Sequence, residues 1–516
     1  MSTWVLLAFA FYIVLMLAIG VISAKKNKST DDYFLGGRNL GGFVAGLSAQ
    51  ASDMSGWLLM GLPGCIYAFG ANQAWIAIGL LIGTILNWTV IAGRLRRYTI
   101  KAGNAMTIPE YLSNRFRDKK QILKAISAVV IVIFFLVYAA SAFSAGGKLF
   151  ASVAGLEYHK ALAVGAVVIL VYTFLGGFLA VCTTDFVQGL MMLIGVIAVP
   201  VIAVCILGTG NIVPNLVNSG LEVSAKDYLN IFMENGKPIS GISIASQLAW
   251  GLGYCGMPHI LVRFMAVRDE KELSKSRKVA IVWVLLSLVL ACVIGVIGRA
   301  YLFPTVLSNE GAQYENVYIE MIKKMFMSDY SLPFIGGLLL CGILAAIMST
   351  ADSQLLVSSS AVANDLLKGV FFKKMSDKAV LVVARISVFV IAIIAFIIAW
   401  NPNSSIMLLV SDAWAGLGSA FGPAILMSLY WKRTNLAGAA SGMISGGLTV
   451  IIWDYIKLIT VDGERMTLGS YTGIYSLLIG FAVSLLVIVV VSLLTPKVSE
   501  EIVQEFEDVK NGNVAE

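Results

Sequence analysis

Long apolar runs separated by short polar or basic stretches set the organisation of this chain. Runs of roughly 20 residues, the length an α-helix needs to cross a bilayer, fall at 4–24, 41–67, 72–93, 125–153, 160–178, 187–207, 240–260, 279–301, 333–360, 379–400, 406–430, 436–457 and 473–494. The pattern predicts an all-α polytopic membrane protein of about 13 spans. The first run has no basic segment before it and no small-residue cleavage site after it, so a retained helix is expected and not a signal peptide. The connecting loops are short and the tail, 495–516, is short and acidic, which predicts no attached soluble domain.

Two of these runs depart from the apolar pattern. Span 2 contains Ser48-Ala-Gln-Ala-Ser-Asp-Met-Ser-Gly-Trp-Leu-Leu-Met-Gly-Leu-Pro-Gly64, with a carboxylate, several hydroxyls and helix-breaking residues. An unpaired polar group in hydrocarbon costs several kcal/mol, so such backbone survives only where protein buries it or a cavity solvates it. Span 7 carries a second interruption, Ala245-Ser-Gln-Leu-Ala-Trp-Gly-Leu-Gly-Tyr-Cys-Gly-Met-Pro-His259. Set side by side, 51–63 and 245–259 both begin Ala-Ser, place a Trp five or six residues later and reach Gly-x-Pro at a similar offset. Five spans separate them, so they cross in opposite directions. Paired interruptions in inverted halves point to the central site of a transporter.

Span 9 adds Ala345-Ala-Ile-Met-Ser-Thr-Ala-Asp-Ser353, an unusually polar helix centre. Hydroxyl and carbonyl oxygens suit a hard cation such as sodium. Ser349 and Thr350 offer adjacent hydroxyls, Ala346 a carbonyl one turn earlier, and an unwound span 2 would free carbonyls near Ala51–Met54. The alternative is that the hydroxyls bond back to their own helix. Asp185, Asp352 and Asp412 are further carboxylates within or at the edge of spans, where an unpaired acid is costly. Asp185 also fits an edge-anchored surface group.

Composition agrees with a membrane protein: 58% of residues are hydrophobic and 13% charged. Of the 37 Lys and Arg, 27 lie in loops 25–40, 94–124, 262–278, 361–378, 431–435 and the tail. That asymmetry explains the net charge of +7 as an orientation signal and not a nucleic-acid patch. It predicts the N-terminus outside and the C-terminus in the cytoplasm. The six cysteines lie in apolar runs without metal-ligand spacing and read as free, buried thiols. His159 and His259 form no cluster with acids or cysteines, which disfavours an enzyme. A channel is disfavoured by the broken spans, and a receptor by the short cytoplasmic segments.

Several strings resemble the sodium/solute symporter family from about residue 5 to 490. They are Asp32-Tyr33-x-Leu-Gly-Gly-Arg38, Ala51-Ser-Asp-Met-Ser-Gly-Trp-Leu-Leu-Met-Gly-Leu-Pro-Gly64, Thr173-Phe-Leu-Gly-Gly-Phe-Leu-Ala180, Trp250-Gly-Leu-Gly-Tyr254, Met257-Pro-His259, Leu344-Ala-Ala-Ile-Met-Ser-Thr350, Ala413-Trp-Ala-Gly416 and Phe421-Gly-Pro423. The resemblance implies a five-plus-five inverted-repeat fold of the leucine-transporter type. One helix and its cytoplasmic loop (1–40) would precede the repeats (41–208 and 209–435), with two helices (436–494) and the tail after them. It further implies sodium-coupled uptake of L-proline across a bacterial-type inner membrane. Sodium would be held by Ala51, Met54, Ala346, Ser349 and Thr350, and the solute by Ser55, Gly56, Trp57, Tyr138, Trp250, Tyr254 and Pro258. Asp53 and Arg38 match positions the family uses in sodium coupling. Asp53 reads electrostatically as an organiser of the unwound segment, and Arg38 reads equally well as a topology charge. Asp352 and Asp412 depart from the family pattern and leave room for another carboxylate-bearing cargo: a different amino acid, pantothenate or a monocarboxylate.

Overall fold

A computed structural model describes residues 2–24, 30–173 and 177–513. Phe174, Leu175 and Gly176 of the Thr173–Ala180 string lie outside the described residues. Each of the thirteen expected runs contains helix among the described residues. In order they are Thr3–Ala24, the broken span 2, Ala71–Lys101, Ile122–Ala154, Tyr158–Thr173, Phe178–Leu207, the broken span 7, Glu270–Leu302, Pro333–Phe371, Asp377–Ile398, Ile406–Tyr430, Leu436–Tyr455 and Ser476–Leu494. Among the described residues, nine helices are long and apolar enough to cross a membrane unaided. The others are shorter, interrupted or more polar.

The two interruptions take different forms. Span 2 runs as Gly42–Asp53, breaks at Met54–Gly56, passes through a wide π-type turn at Trp57–Gly61 and resumes at Leu62–Phe69. Such turns favour positions where a helix must re-aim its side chains. Span 7 runs as Gly241–Leu248, tightens into a 3-10 coil over Ala249–Gly256 and restarts at Pro258–Ala266, with Pro258 at the first helical position where its missing N–H costs nothing. Gly79 lets span 3 lie against the first break point of span 7. A β-carbon there would sit 2.6 Å from the Leu248 carbonyl oxygen, so a larger residue would wedge the helices apart.

On the basic face the nearer halves of both broken spans meet. Leu40 N–H donates to Ala266 O (3.1 Å) and Arg268 N–H donates to Leu40 O (3.1 Å). Arg38 fastens this junction. Its guanidinium donates to Met265 O (2.7 Å), Ala105 O (2.6 Å) and Asn104 Oδ1 (2.7 Å). Arg38 is therefore a fixed structural cation, beyond the simple loop charge that topology alone would require.

Three expectations need correction. Span 6 starts at Phe178, earlier than the apolar run suggests, so Asp185 lies inside a helix and is 0% exposed. It is no surface carboxylate. Arg263, assigned to a loop, sits on the helix Pro258–Ala266 and is 1% exposed. Of the six free cysteines, only Cys65, Cys182 and Cys341 are buried; Cys255 and Cys292 are half-buried, and Cys205 is exposed.

Candidate sodium and solute site

The break in span 2 redirects backbone hydrogen bonds. Ser55 N–H donates to Asp53 O (3.0 Å), where a continued helix would have used Ala51 O. Span 9 faces the carbonyl so released. Ser349 Oγ donates to Ala51 O at 2.7 Å and lies 3.2 Å from Ala346 O, while Thr350 Oγ1 is 3.5 Å from Ala51 O. Ala51, Ala346, Ser349 and Thr350 thus converge as hydroxyls and carbonyls, the donor set a hard monovalent cation prefers. Met54 occupies the break itself (φ −83°, ψ 75°), with its N–H on Gln50 O. No hydrogen bond joins it to the hydroxyl pair.

Asp53 organises the next layer. Its carbonyl accepts from Ser55 N–H, from the Trp57 indole (3.0 Å) and from Tyr138 O–H (3.4 Å). Its carboxylate accepts from Tyr254 O–H at 2.6 Å. One acid therefore joins the breaks of spans 2 and 7 to span 4. Tyr254 is held in turn by Asn87, whose amide donates to Tyr254 O (3.1 Å). Gly56 is forced by its neighbour, since a β-carbon would sit 2.8 Å from Ala145 Cβ.

The aromatic wall includes two rings not among the expected site residues. The Trp414 indole donates to Trp250 O (2.8 Å) and meets Tyr254 edge-on, with centroids 5.1 Å apart. Tyr475 stacks on Trp250 at 5.1 Å. Trp414 belongs to the Ala413–Gly416 string and was legible as a motif. Tyr475, at the start of span 13, carries no local signal. Pro258 faces elsewhere: with Ile131 and Arg263 it lines a small cavity of about 30 Å³ whose walls also include Pro109, Ser360 and Asp365.

Below the hydroxyl pair lies a buried polar cluster. Arg263 donates to Asp185 Oδ2 (3.1 Å), Ser48 Oγ (3.2 Å), Ser353 Oγ (2.7 Å) and His259 O (2.6 Å). Ser48 and Ser52 also donate to Asp185 Oδ2. Asp352 is 0% exposed beside Ser353, within this cluster's reach. Burying the Asp185 carboxylate is tolerable because an arginine and two hydroxyls compensate it. Asp412 stands apart. It accepts from Tyr455 O–H (2.5 Å), tying span 11 to span 12.

A second buried charged group lies toward the face opposite the basic one. Glu315, fully buried between spans 8 and 9, accepts from Lys148 Nζ (2.7 Å), Ser405 Oγ (2.8 Å) and the N–H groups of Ile406 and Met407 (3.0 Å each). It caps the first turn of span 11, where a carboxylate is favoured by the exposed amides and the helix dipole.

A family model described as the sodium:solute symporter family matches residues 33–446. The chain belongs to the sodium:solute symporter family. Among its relatives, an osmoregulated proline transporter of Bacillus subtilis (strain 168) is 44% identical over 497 residues, covering 96% of each chain. A sodium/proline symporter of Staphylococcus aureus is 43% identical over 502 residues, covering 96% of this chain and 93% of its own. Among solved structures, a Na+-coupled sialic acid symporter in a substrate-bound outward-open state superposes with TM-score 0.76 at 18% identity, over 97% of this chain and 99% of that one. That likeness bears on fold alone, and it carries the five-plus-five inverted-repeat arrangement across to this family member. The protein is a multi-pass membrane transporter, not an enzyme, and sodium is its coupling ion.

Proposed function

We propose that this symporter carries L-proline into the cell with sodium, by alternating access around the paired breaks of spans 2 and 7. The observation that carries the reading is the meeting of the Ser349 and Thr350 hydroxyls with the Ala51 carbonyl, two residues along span 2 from the Asp53–Tyr254 contact. An ion on the first group and a solute on the second would share the same unwound segment. Each would then stabilise the backbone geometry the other needs, which is the physical content of coupling. Ala51, Met54, Ala346, Ser349 and Thr350 form the proposed ion site. Ser55, Gly56, Trp57, Tyr138, Trp250 and Tyr254 form the proposed solute site, with Pro258 at its inner exit.

Helix ends and backbone dipoles at the breaks suit a zwitterion, and the Trp250–Trp414–Tyr254 wall suits a compact apolar ring. Proline transport by two relatives that match this chain along nearly its whole length supports the cargo assignment. The repeats would run 41–208 and 209–435, with Asp53, Arg38 and Asp185 acting as organisers. Asp352 is assigned to the Arg263 cluster and Asp412 to the span 11–12 contact. With the basic face cytoplasmic, the N-terminus is outside, the Glu315 network seals the external side, and the cavity beneath Pro258 is the route inward.

Uptake of labelled proline into reconstituted vesicles tests the reading, with an inward sodium gradient or with potassium in its place. Uptake is expected only with sodium, and unlabelled proline should compete better than other amino acids, pantothenate or monocarboxylates. Sodium-independent uptake would overturn the coupling. Stronger competition by one of those other solutes would overturn the cargo.

A further inference from the structure

Residues 500–510 form an amphipathic helix outside the spans. It lies across three separate pieces of the basic face. Ile502, Phe506 and Val509 are buried beneath it. Its acids reach outward to two connections, that between spans 3 and 4 and that between spans 11 and 12. Asp508 pairs with Lys101 at the end of span 3 (3.0 Å), and Glu505 and Glu501 pair with Arg117 between spans 3 and 4 (2.7 and 3.1 Å). Glu507 pairs with Lys432 between spans 11 and 12 (3.4 Å). The Phe506 ring lies under two guanidiniums, Arg94 at 4.9 Å and Arg115 at 5.6 Å.

The placement gives these contacts a mechanical meaning. Arg115 ends the short helix Ile108–Arg115, and the opposite end of that helix, Ile108 and Pro109, lines the inner cavity. The C-terminal helix therefore backs the wall of the route to the basic face. An 11-residue helix is too short to hold its shape unsupported in water, so undocking and unfolding go together. Its pairs through Glu501, Glu507 and Asp508 are part-exposed, where salt screens them, while Glu505 is buried against Arg117.

We propose that the helix Glu500–Lys510 is a detachable clasp that braces the inner-cavity wall and is loosened by rising ionic strength at the basic face. Its ligand is the basic groove formed by Arg94, Lys101, Arg115, Arg117 and Lys432. The three apolar anchors set where it docks, and the ion pairs decide how long it stays.

The test compares the full-length protein with a charge-neutral variant carrying Glu501→Gln, Glu505→Gln, Glu507→Gln and Asp508→Asn. Hydrogen exchange of the 502–510 amides is followed in nanodiscs at low and high potassium chloride. Because the screening length shrinks from about 10 Å at 0.1 M to about 3 Å at 1 M, exchange of the unaltered helix should quicken by about tenfold across that range. The variant should exchange fast at both ends, with span amides protected in each protein as the folding control. Salt-independent protection of the unaltered helix would overturn the clasp. A second readout rests on the uptake activity proposed above: initial uptake at fixed sodium gradient, with osmolality balanced by sorbitol. The unaltered protein's rate should change with potassium chloride and the variant's should not. Release of the helix without any change in rate would overturn the brace. Absence of proline uptake in both proteins would count against the cargo alone, and sodium-driven uptake of the competing solute would then supply the rate.

Discussion

At the scale of single residues, the proposed ion and solute sites rest on the hydroxyls of Ser349 and Thr350 and on the Tyr254–Asp53 contact. Replacing both hydroxyls, Ser349→Ala with Thr350→Ala, removes two oxygens that face Ala51 O. The sodium concentration for half-maximal uptake should rise by about tenfold or more, corresponding to ~1.4 kcal/mol or above. Thermal stability of the purified protein should change little by comparison. Tyr254→Phe removes the hydroxyl donor from a buried carboxylate, for which a loss of about 1–3 kcal/mol is typical. The KM for solute should therefore rise by roughly 5- to 150-fold, and a dose–response series at saturating sodium would measure it. An unchanged KM would remove Tyr254 from the solute site.

Helices and their junctions raise a different question, that of closure on the face away from the basic loops. Lys148 and Glu315 form a buried pair in which Glu315 also caps span 11. Removing one member of a buried pair leaves the other uncompensated and costs about 3–5 kcal/mol, whereas removing both is far milder. Lys148→Met and Glu315→Gln should each lower the melting temperature, and the double variant should recover part of the loss. A double-mutant cycle on thermal unfolding reads this coupling directly. The same scale shows what was legible in the chain. Both breaks were visible because glycine, proline and acid in an apolar run have few other uses. The hydroxyl pair was visible because its spacing survives on any helix. Arg263 was misplaced because the end of span 7 cannot be read from hydropathy: a guanidinium compensated by Asp185 and Ser353 looks identical, in one dimension, to a loop cation. Asp185 was pushed to an edge for the same reason. Tyr475 was invisible, since only packing brings span 13 against Trp250.

The whole molecule sets the energetics of transport. A monovalent cation moving inward across the membrane gains about 2.3 kcal/mol per 100 mV. If one sodium accompanies each neutral zwitterion, imposing −100 mV inside without a sodium gradient should sustain about 50-fold accumulation. Valinomycin-clamped vesicles would measure this ratio, and a ratio near unity would exclude electrogenic coupling. The junction of Leu40 with Ala266 and Arg268, fastened by Arg38 to Met265, gives such coupling a mechanical form. The helix Gly42–Asp53 of span 2 starts there and the helix Pro258–Ala266 of span 7 finishes there. The two half-helices therefore share one fulcrum, and neither can tilt without turning the other. The carbonyl facing the hydroxyl pair rides on one arm, and the other arm starts at Pro258, just after the coil that holds the phenol facing Asp53. Damage at that fulcrum would loosen ion and cargo together, although it touches neither.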